Sequence, residues 1–64
     1  MDNKLWVLLL DNKYIRDEET NLVLVYSEKE TAIWEQKYYK ECRHLNAELV
    51  EFTEFSINYL ICNF

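Results

Sequence analysis

The chain has 64 residues, a formal net charge of −5, and neither glycine nor proline. A chain of this length forms one domain, residues 1–64, and buries only about 60% of the surface that its unfolded form exposes. The lack of glycine excludes a glycine-rich phosphate-binding loop. The negative charge argues against direct binding to nucleic acid, which needs a basic surface. Because 50% of the residues are hydrophobic, we expect a folded domain rather than a disordered acidic tail.

The apolar stretches of the chain are short. None approaches the roughly 20 residues that a membrane-spanning helix requires, so we expect no membrane partner. The stretch at residues 5–10 is also too short for a signal peptide and is followed by charged residues. We therefore expect a cytoplasmic protein in which both cysteines are reduced.

The first 26 residues predict a β-meander. Residues 5–10 and 22–26 are apolar at every position, which is typical of strands that are covered on both faces. A turn at 11–13 leads into a short return strand at 14–16, and a charged turn follows at 17–21. Without glycine these turns depend on Asn and Asp, and Asn12 is expected to adopt a positive φ.

Residues 27–43 predict the only long helix. Ser27 and Glu30 have the spacing of a capping box, and Asn46 is expected to end the helix in a left-handed conformation. Helical periodicity separates an apolar face, expected to be buried, from a polar face that includes Gln36. The expected buried face consists of Trp34, Tyr38, Cys42 and Leu45, flanked by Tyr39.

The remaining segments complete the predicted fold. Residues 47–53 predict a strand with Val50 and Phe52 directed inward, and the uncharged residues 55–64 alternate in a way that predicts another. The fold class is therefore α+β: a small antiparallel sheet, made of the β-meander and one or two C-terminal strands, packed on a single helix.

The polar face of the helix is a candidate partner-binding surface. Its cations are suited to an acidic partner or phosphate, although such a face is more often simply solvated and complements the helix dipole. The chain is also rich in Trp, Tyr and Phe, which either fill a small core or form the centre of an interface. The predicted partner-binding residues are Ile33, Lys37, Lys40, Arg43 and His44.

Residues suited to catalysis or metal binding are few. Cys42, His44 and Cys62 are possible zinc ligands, but their spacing fits no recognised zinc motif. Cys42 and His44 are two apart on a helix and do not face each other, which argues against a nucleophile–base pair. We predict a non-enzymatic protein without metal or cofactor.

Two alternatives to a protein-binding function follow from the acidic residues and the small size. Residues 17–19, with Glu48, Glu51 and Glu54, could imitate phosphates and block a DNA- or RNA-binding protein. Because Lys4, Lys13, Arg16 and Lys29 interrupt them, a solvated turn and a strand edge protected by charge are the favoured interpretation. The other alternative is a small dimer that binds a ligand.

A homodimer is expected from the two strands that are apolar on both faces. One helix covers only one face of the sheet, and the other face needs a cover. The uncharged C-terminal segment could supply it within the chain or from a second chain, and we favour the second chain. The predicted dimer residues are Phe55, Ile57, Tyr59 and Ile61.

The order of elements over residues 5–52 resembles small ββαβ proteins encoded by phages and bacteria. The resemblance is carried by the turn Asp11-Asn12-Lys13-Tyr14, the strand at 22–26 and the helix start Ser27-Glu28-Lys29-Glu30-Thr31-Ala32. Lys13 and Asn21 stand where such turns often have glycine. The resemblance implies a phage-type anti-defence protein, an inhibitor or adaptor that acts by occluding a host protein.

Overall fold

A computed structural model of the chain describes residues 4–62 and has the predicted α+β architecture, one helix packed on a small sheet. The elements are β1 (Leu5–Leu10), β2 (Lys13–Tyr14), β3 (Val23–Tyr26), α1 (Lys29–Arg43), β4 (Glu48–Phe52) and β5 (Tyr59–Cys62). The last predicted strand is shorter than expected at its start, because residues 55–57 form a turn. Residues 63 and 64 of that predicted strand lie outside the described residues.

The sheet is built around β1. Along one side β1 pairs antiparallel with β4, and along the other it pairs with β2 at Leu9 and Leu10 and with β3 at Trp6. β5 lies beside β3 and runs parallel to it, so the sheet is mixed rather than wholly antiparallel. Parallel strands need a long connection, and α1 and β4 provide it between β3 and β5.

Asn and Asp make the turns, as predicted. Asp11 and Asn12 have φ values of 52° and 63°, the double left-handed conformation that joins two-residue hairpins. Asn21, with φ of 60°, ends the second turn. In that turn Asp17 accepts hydrogen bonds from the backbone N–H groups of Glu19 and Thr20.

The prediction that β1 is covered on both faces is confirmed. Val7 and Leu8 are adjacent residues of β1 that point to opposite faces of the sheet, and they are 0% and 1% exposed. Each belongs to a separate core, one on each face of the sheet. The core on the helix side contains Leu8, Tyr26, Ala32 and Ala47, and the core on the other side contains Val7, Val23, Val25 and Phe52.

The N-cap of the helix lies one residue later than predicted. The helix begins at Lys29, and its N-cap is Glu28, whose extended backbone (φ −120°, ψ 131°) has the N-cap conformation but whose side chain makes no capping hydrogen bond. The helix ends at Arg43 as predicted. His44, not Asn46, takes the left-handed conformation there, with φ of 55°, and its N–H donates to the carbonyl of Tyr39.

The predicted buried face of the helix was also wrong. Trp34 is 71% and Tyr38 46% exposed, and Cys42 and Leu45 are exposed as well. Ala32 is fully buried instead, with Gln36 and Tyr39 half-buried beside it. The physical reason is that the strands already supply the large side chains of this core, so the helix approaches the sheet through a small residue.

The C-terminal segment covers the sheet face opposite the helix. The rings of Phe55 and Tyr59 pack edge-on against Phe52, with centroids 5.3 and 5.1 Å away, and Tyr14 packs against it from β2 at 6.0 Å. Ile57 packs on the same core. One chain therefore covers by itself much of the apolar face for which the sequence suggested a second chain.

Candidate protein-binding surface

The outer face of α1 carries the most exposed aromatic side chain among the described residues. Trp34 and Tyr38 are one turn apart on this face, and Ile33, 37% exposed, lies next to them. Lys37, Glu41 and Cys42 complete the same stretch of helix surface, all exposed. We call this set, Ile33, Trp34, Lys37, Tyr38, Glu41 and Cys42, the Trp34 surface.

The Trp34 ring stands between two shallow depressions. Toward the C-terminal half of the helix, the depression is lined by the ring together with Lys37, Tyr38, Glu41 and Cys42. Toward the N-terminal half, it is lined by Trp34, Thr31 and three carboxylates, those of Glu28, Glu30 and Glu35. A ring that projects between two depressions has a shape suited to insertion into a pocket on another protein.

Charge is distributed unevenly around the ring. Acidic residues surround its N-terminal side, whereas Lys37 and Lys40 lie toward the C-terminal half and line a further depression with Asn46. The only ion pair among residues 4–62 joins Lys4 to Glu51, at 3.7 Å. Lys37 and Lys40 are therefore without a carboxylate partner in the described part of the chain.

The predicted partner-binding residues do not all come together. Ile33, Lys37, Lys40 and His44 are exposed and follow one side of the Trp34 surface at helical spacing. Arg43 lies elsewhere, because its guanidinium covers the Tyr39 ring at 5.5 Å, on the side of the helix that faces the sheet. There it lines a groove with Arg16 and the acidic turn residues Asp17, Glu18 and Glu19.

Sequence reasoning missed Trp34 and Tyr38 as surface residues. It assigned them to the core because they are large and apolar at helical spacing. The spacing Ala32, Gln36, Tyr39 and Arg43 also marks one helix face, and it is the face that contacts the sheet. A small residue at its centre was the available signal for close packing against a sheet.

The predicted dimer residues occupy different environments. Ile57 and Tyr59 are half-buried against the core of their own chain, and Phe55 is 57% exposed although its ring touches Phe52. Ile61 is 42% exposed on β5, next to Leu60 at 39%. The exposed apolar surface of this segment thus lies along β5 and at Phe55.

The two cysteines are free thiols on different elements. Cys42 is exposed on α1, and Cys62 is half-buried on β5, where burial above all, and then the charge of Glu35, raise its thiol pKa. Within residues 4–62, no three His, Cys, Asp or Glu side chains lie close enough together to hold a metal ion.

The acidic residues of the predicted nucleic-acid mimic lie in different places. Asp17, Glu18 and Glu19 lie beside Arg16 and Arg43 in the groove at the helix. Glu48 and Glu51 lie on β4, across β1 from β2 and β3, and Glu51 is paired with Lys4. No single acidic array therefore unites the residues of the predicted nucleic-acid mimic.

No protein-family model, no curated protein and no solved structure matches this chain. In the described part of the chain, α1 is the single helix, and it has neither the length nor the apolar character that crossing a bilayer requires.

Proposed function

We propose that this chain is a non-enzymatic inhibitor or adaptor that binds a target protein through the Trp34 surface. The exposure of Trp34, at 71%, is the observation that carries the proposal. A small domain gains stability by burying its large apolar side chains, and this one leaves one of its two tryptophans on the outside. Trp is also the residue type most often responsible for the binding energy at the centre of protein interfaces.

The fold presents Trp34 on a rigid support. Ala32 fixes the helix against the sheet, and Gln36 bonds to the backbone of Ala47 just before β4. The indole is attached to the same turn of helix as these two anchors. A side chain held on a fixed backbone loses less conformational entropy on binding than one on a loop, so its contact surface contributes more to affinity.

The charges on the Trp34 surface indicate the chemistry of the partner. Lys37 and Lys40 have no carboxylate partner in the described residues, so an acidic rim on the target would gain their attraction without breaking an existing ion pair. We infer a target with an apolar pocket for the indole and carboxylates on one side of it. The cations of the predicted partner-binding set, except for Arg43, then form the edge of the site.

The resemblance to small phage proteins supports the biological setting of this proposal. Such proteins inhibit a host defence system by occupying the surface of one of its components, and a projecting aromatic ring on a helix is suited to blocking a pocket. Binding by this surface needs no catalytic group. The proposal is thus of an anti-defence protein that acts by occlusion.

The test compares two exposed aromatic residues in binding to one purified target, isolated from host lysate with the wild-type chain and identified by mass spectrometry. Trp34→Ala should weaken binding by about 30-fold or more, the loss expected for a residue at the centre of an interface. Phe55→Ala is the matched control, since Phe55 is 57% exposed on the opposite face of the sheet, and should change affinity less than about threefold.

A second pair of variants tests the acidic rim. Lys37→Glu with Lys40→Glu should abolish binding, whereas Lys13→Glu, an exposed lysine in the first hairpin, should not. Each variant is first checked by urea denaturation, where Trp34→Ala should shift the unfolding free energy by less than about 0.5 kcal/mol because the ring is exposed. Unchanged affinity in Trp34→Ala, with binding lost in Phe55→Ala, would place the site on the other face.

A further inference from the structure

The two outer strands of the sheet differ in how their edges are protected. An exposed strand edge is a template for pairing with another chain, and proteins commonly block it with charge. β4 is blocked in this way by Glu48 and Glu51, both exposed. β5 carries no charged residue, and Leu60 and Ile61 are 39% and 42% exposed. Within residues 4–62, no strand pairs with the outer edge of β5.

The backbone of β5 presents regular hydrogen-bonding groups along this edge. The carbonyl of Asn58 accepts a hydrogen bond from Val23 N–H, so Asn58 faces β3. Since alternate residues of a strand direct their N–H and C=O to the same side, Leu60 and Cys62 also face β3. The N–H and C=O groups of Tyr59 and Ile61 therefore point to the free edge.

We propose that β5 pairs antiparallel with β5 of a second copy of this chain, about a two-fold axis at Leu60. In this register Tyr59 of each chain lies opposite Ile61 of the other and exchanges both backbone hydrogen bonds with it. Leu60 lies opposite its own copy. The two sheets become one continuous sheet, with both helices on the same face.

Charge favours pairing of two copies through β5 over pairing through β4. Each chain has a net charge of −5, so two copies repel each other, and the repulsion is least where the contact brings no carboxylates together. The segment 55–62 is free of charged residues, whereas pairing through β4 would bring Glu48 and Glu51 of both copies to one seam. The pairing is isologous, so each uncharged edge covers the other.

The faces of β5 also suit the pairing. Leu60 is aligned with Leu24 on the helix side of the sheet, and Ile61 with Val25 on the opposite side. Contact between the two copies of Leu60, and of each Ile61 with the other chain's Tyr59, would bury the exposed apolar surface on both faces at once. Packing of two sheets face to face would bury little more, because Val7, Val23 and Val25 are already 0% exposed.

Sedimentation equilibrium at micromolar concentration measures the association. The wild-type chain should have twice the 7.9 kDa mass of one chain. Leu60→Lys brings like charges together at the axis, and Ile61→Lys removes the apolar contact with the other chain's Tyr59. Each variant should give a folded monomer, with folding checked by circular dichroism. Glu48→Lys, on the charged edge, and Trp34→Ala should remain dimers. A monomeric wild-type chain, or a dimer lost in Trp34→Ala but kept in Leu60→Lys, would overturn the proposal.

A disulfide tests the register without depending on folding of a charged variant. In a chain with Cys42→Ser and Cys62→Ala, Leu60→Cys places the two new thiols across the axis in a non-hydrogen-bonded pair, which is close enough for a disulfide. Mild oxidation should link the chains almost completely. Glu48→Cys in the same background is the control and should give no link. Linking of the control but not of Leu60→Cys would contradict the pairing.

Discussion

Gln36 donates a hydrogen bond of 2.8 Å from Nε2 to the backbone carbonyl of Ala47. Gln36 lies in the middle of α1, and Ala47 lies just before β4 and is 7% exposed. The bond sets the rotation of the helix about its axis. Trp34 is two residues earlier, about 200° away around the helix, so holding Gln36 toward the sheet directs the indole to solvent.

The first prediction concerns this bond. Gln36→Ala leaves the Ala47 carbonyl without its partner in a buried position, and the unfolding free energy should fall by about 1 to 2 kcal/mol. Urea denaturation measures the loss. Lys37→Ala, the next residue and an exposed one, is the control and should cost less than about 0.5 kcal/mol. Equal midpoints for the two variants would show that the bond does not hold the helix.

A second prediction concerns the N-cap residue of the helix. Glu28 has the N-cap backbone conformation, but its side chain makes no capping hydrogen bond. Glu28→Ser places a short oxygen acceptor at the N-cap position and should stabilise the chain by about 1 kcal/mol. Glu28→Gln removes the same charge without adding a short cap, and it should give no such gain. A thermal melt of both variants distinguishes capping from the change in charge.

The third prediction concerns the other end of the helix. His44 adopts the left-handed conformation, with φ of 55°, which costs a residue with a Cβ atom more than it costs glycine. His44→Gly should therefore raise the unfolding free energy by about 1 kcal/mol. His44→Ala keeps the Cβ atom and removes the imidazole, so it separates the backbone effect from the loss of the side chain. A melting temperature no higher for glycine than for alanine would contradict the argument.

These helix ends illustrate what the sequence could and could not predict. The end at Arg43 was predictable, because cations gather in the last turn. The start was not, because Ser27 and Glu30 have the spacing of a capping box one position before the actual N-cap. Spacing alone does not determine which of two adjacent polar residues adopts the N-cap conformation.

The strands were predicted better than the orientation of the helix. Residues 5–10 were assigned correctly because an all-apolar run bounded by Asp11 and Asn12 allows few alternatives. The rotation of α1 was predicted wrongly because Tyr26 and Leu8 fill the helix-side core from the strands, which leaves room for Ala32 but not for Trp34. That competition between elements is tertiary and cannot be found in the helix sequence. The parallel pairing of β5 is tertiary in the same sense.

The fourth prediction tests the cover on the second face of the sheet. Ile57 is half-buried against the core around Phe52 and Val23, so Ile57→Ala should lower the unfolding free energy by about 1 to 2 kcal/mol. Its neighbour Ser56 is exposed, and Ser56→Ala should be nearly neutral. Both substitutions are introduced into the Ile61→Lys chain, which is expected to be monomeric, so that a change in association does not contribute to the unfolding free energy. Equal stability of the two variants would mean that the segment does not cover the core.

The last prediction is a pH dependence that arises in the second turn. The Asp17 carboxylate accepts hydrogen bonds from Thr20 N–H and Thr20 Oγ1, both at 2.9 Å, and from Glu19 N–H at 3.2 Å. These bonds hold the pKa of Asp17 below its ordinary value, and the bond from the Thr20 backbone has the largest effect. Since the folded state favours the charged form, Asp17 stabilises the fold above the pKa of the unfolded state, and this contribution is lost as the pH falls through the lower, folded-state pKa.

Asp17→Asn isolates this contribution, because it removes the titrating group and keeps an oxygen acceptor. The wild-type chain should exceed the variant in stability at about pH 6, and the difference should shrink as the pH falls toward about 2. Urea denaturation across that range measures it. Asp11→Asn is the control for the loss of one negative charge in an exposed turn, since no hydrogen bond to the Asp11 carboxylate occurs within residues 4–62. A difference in stability between the wild-type chain and Asp17→Asn that stays constant from about pH 6 to about pH 2 would contradict the role of the charge. A hydrogen bond that does not depend on ionisation would then account for the whole effect.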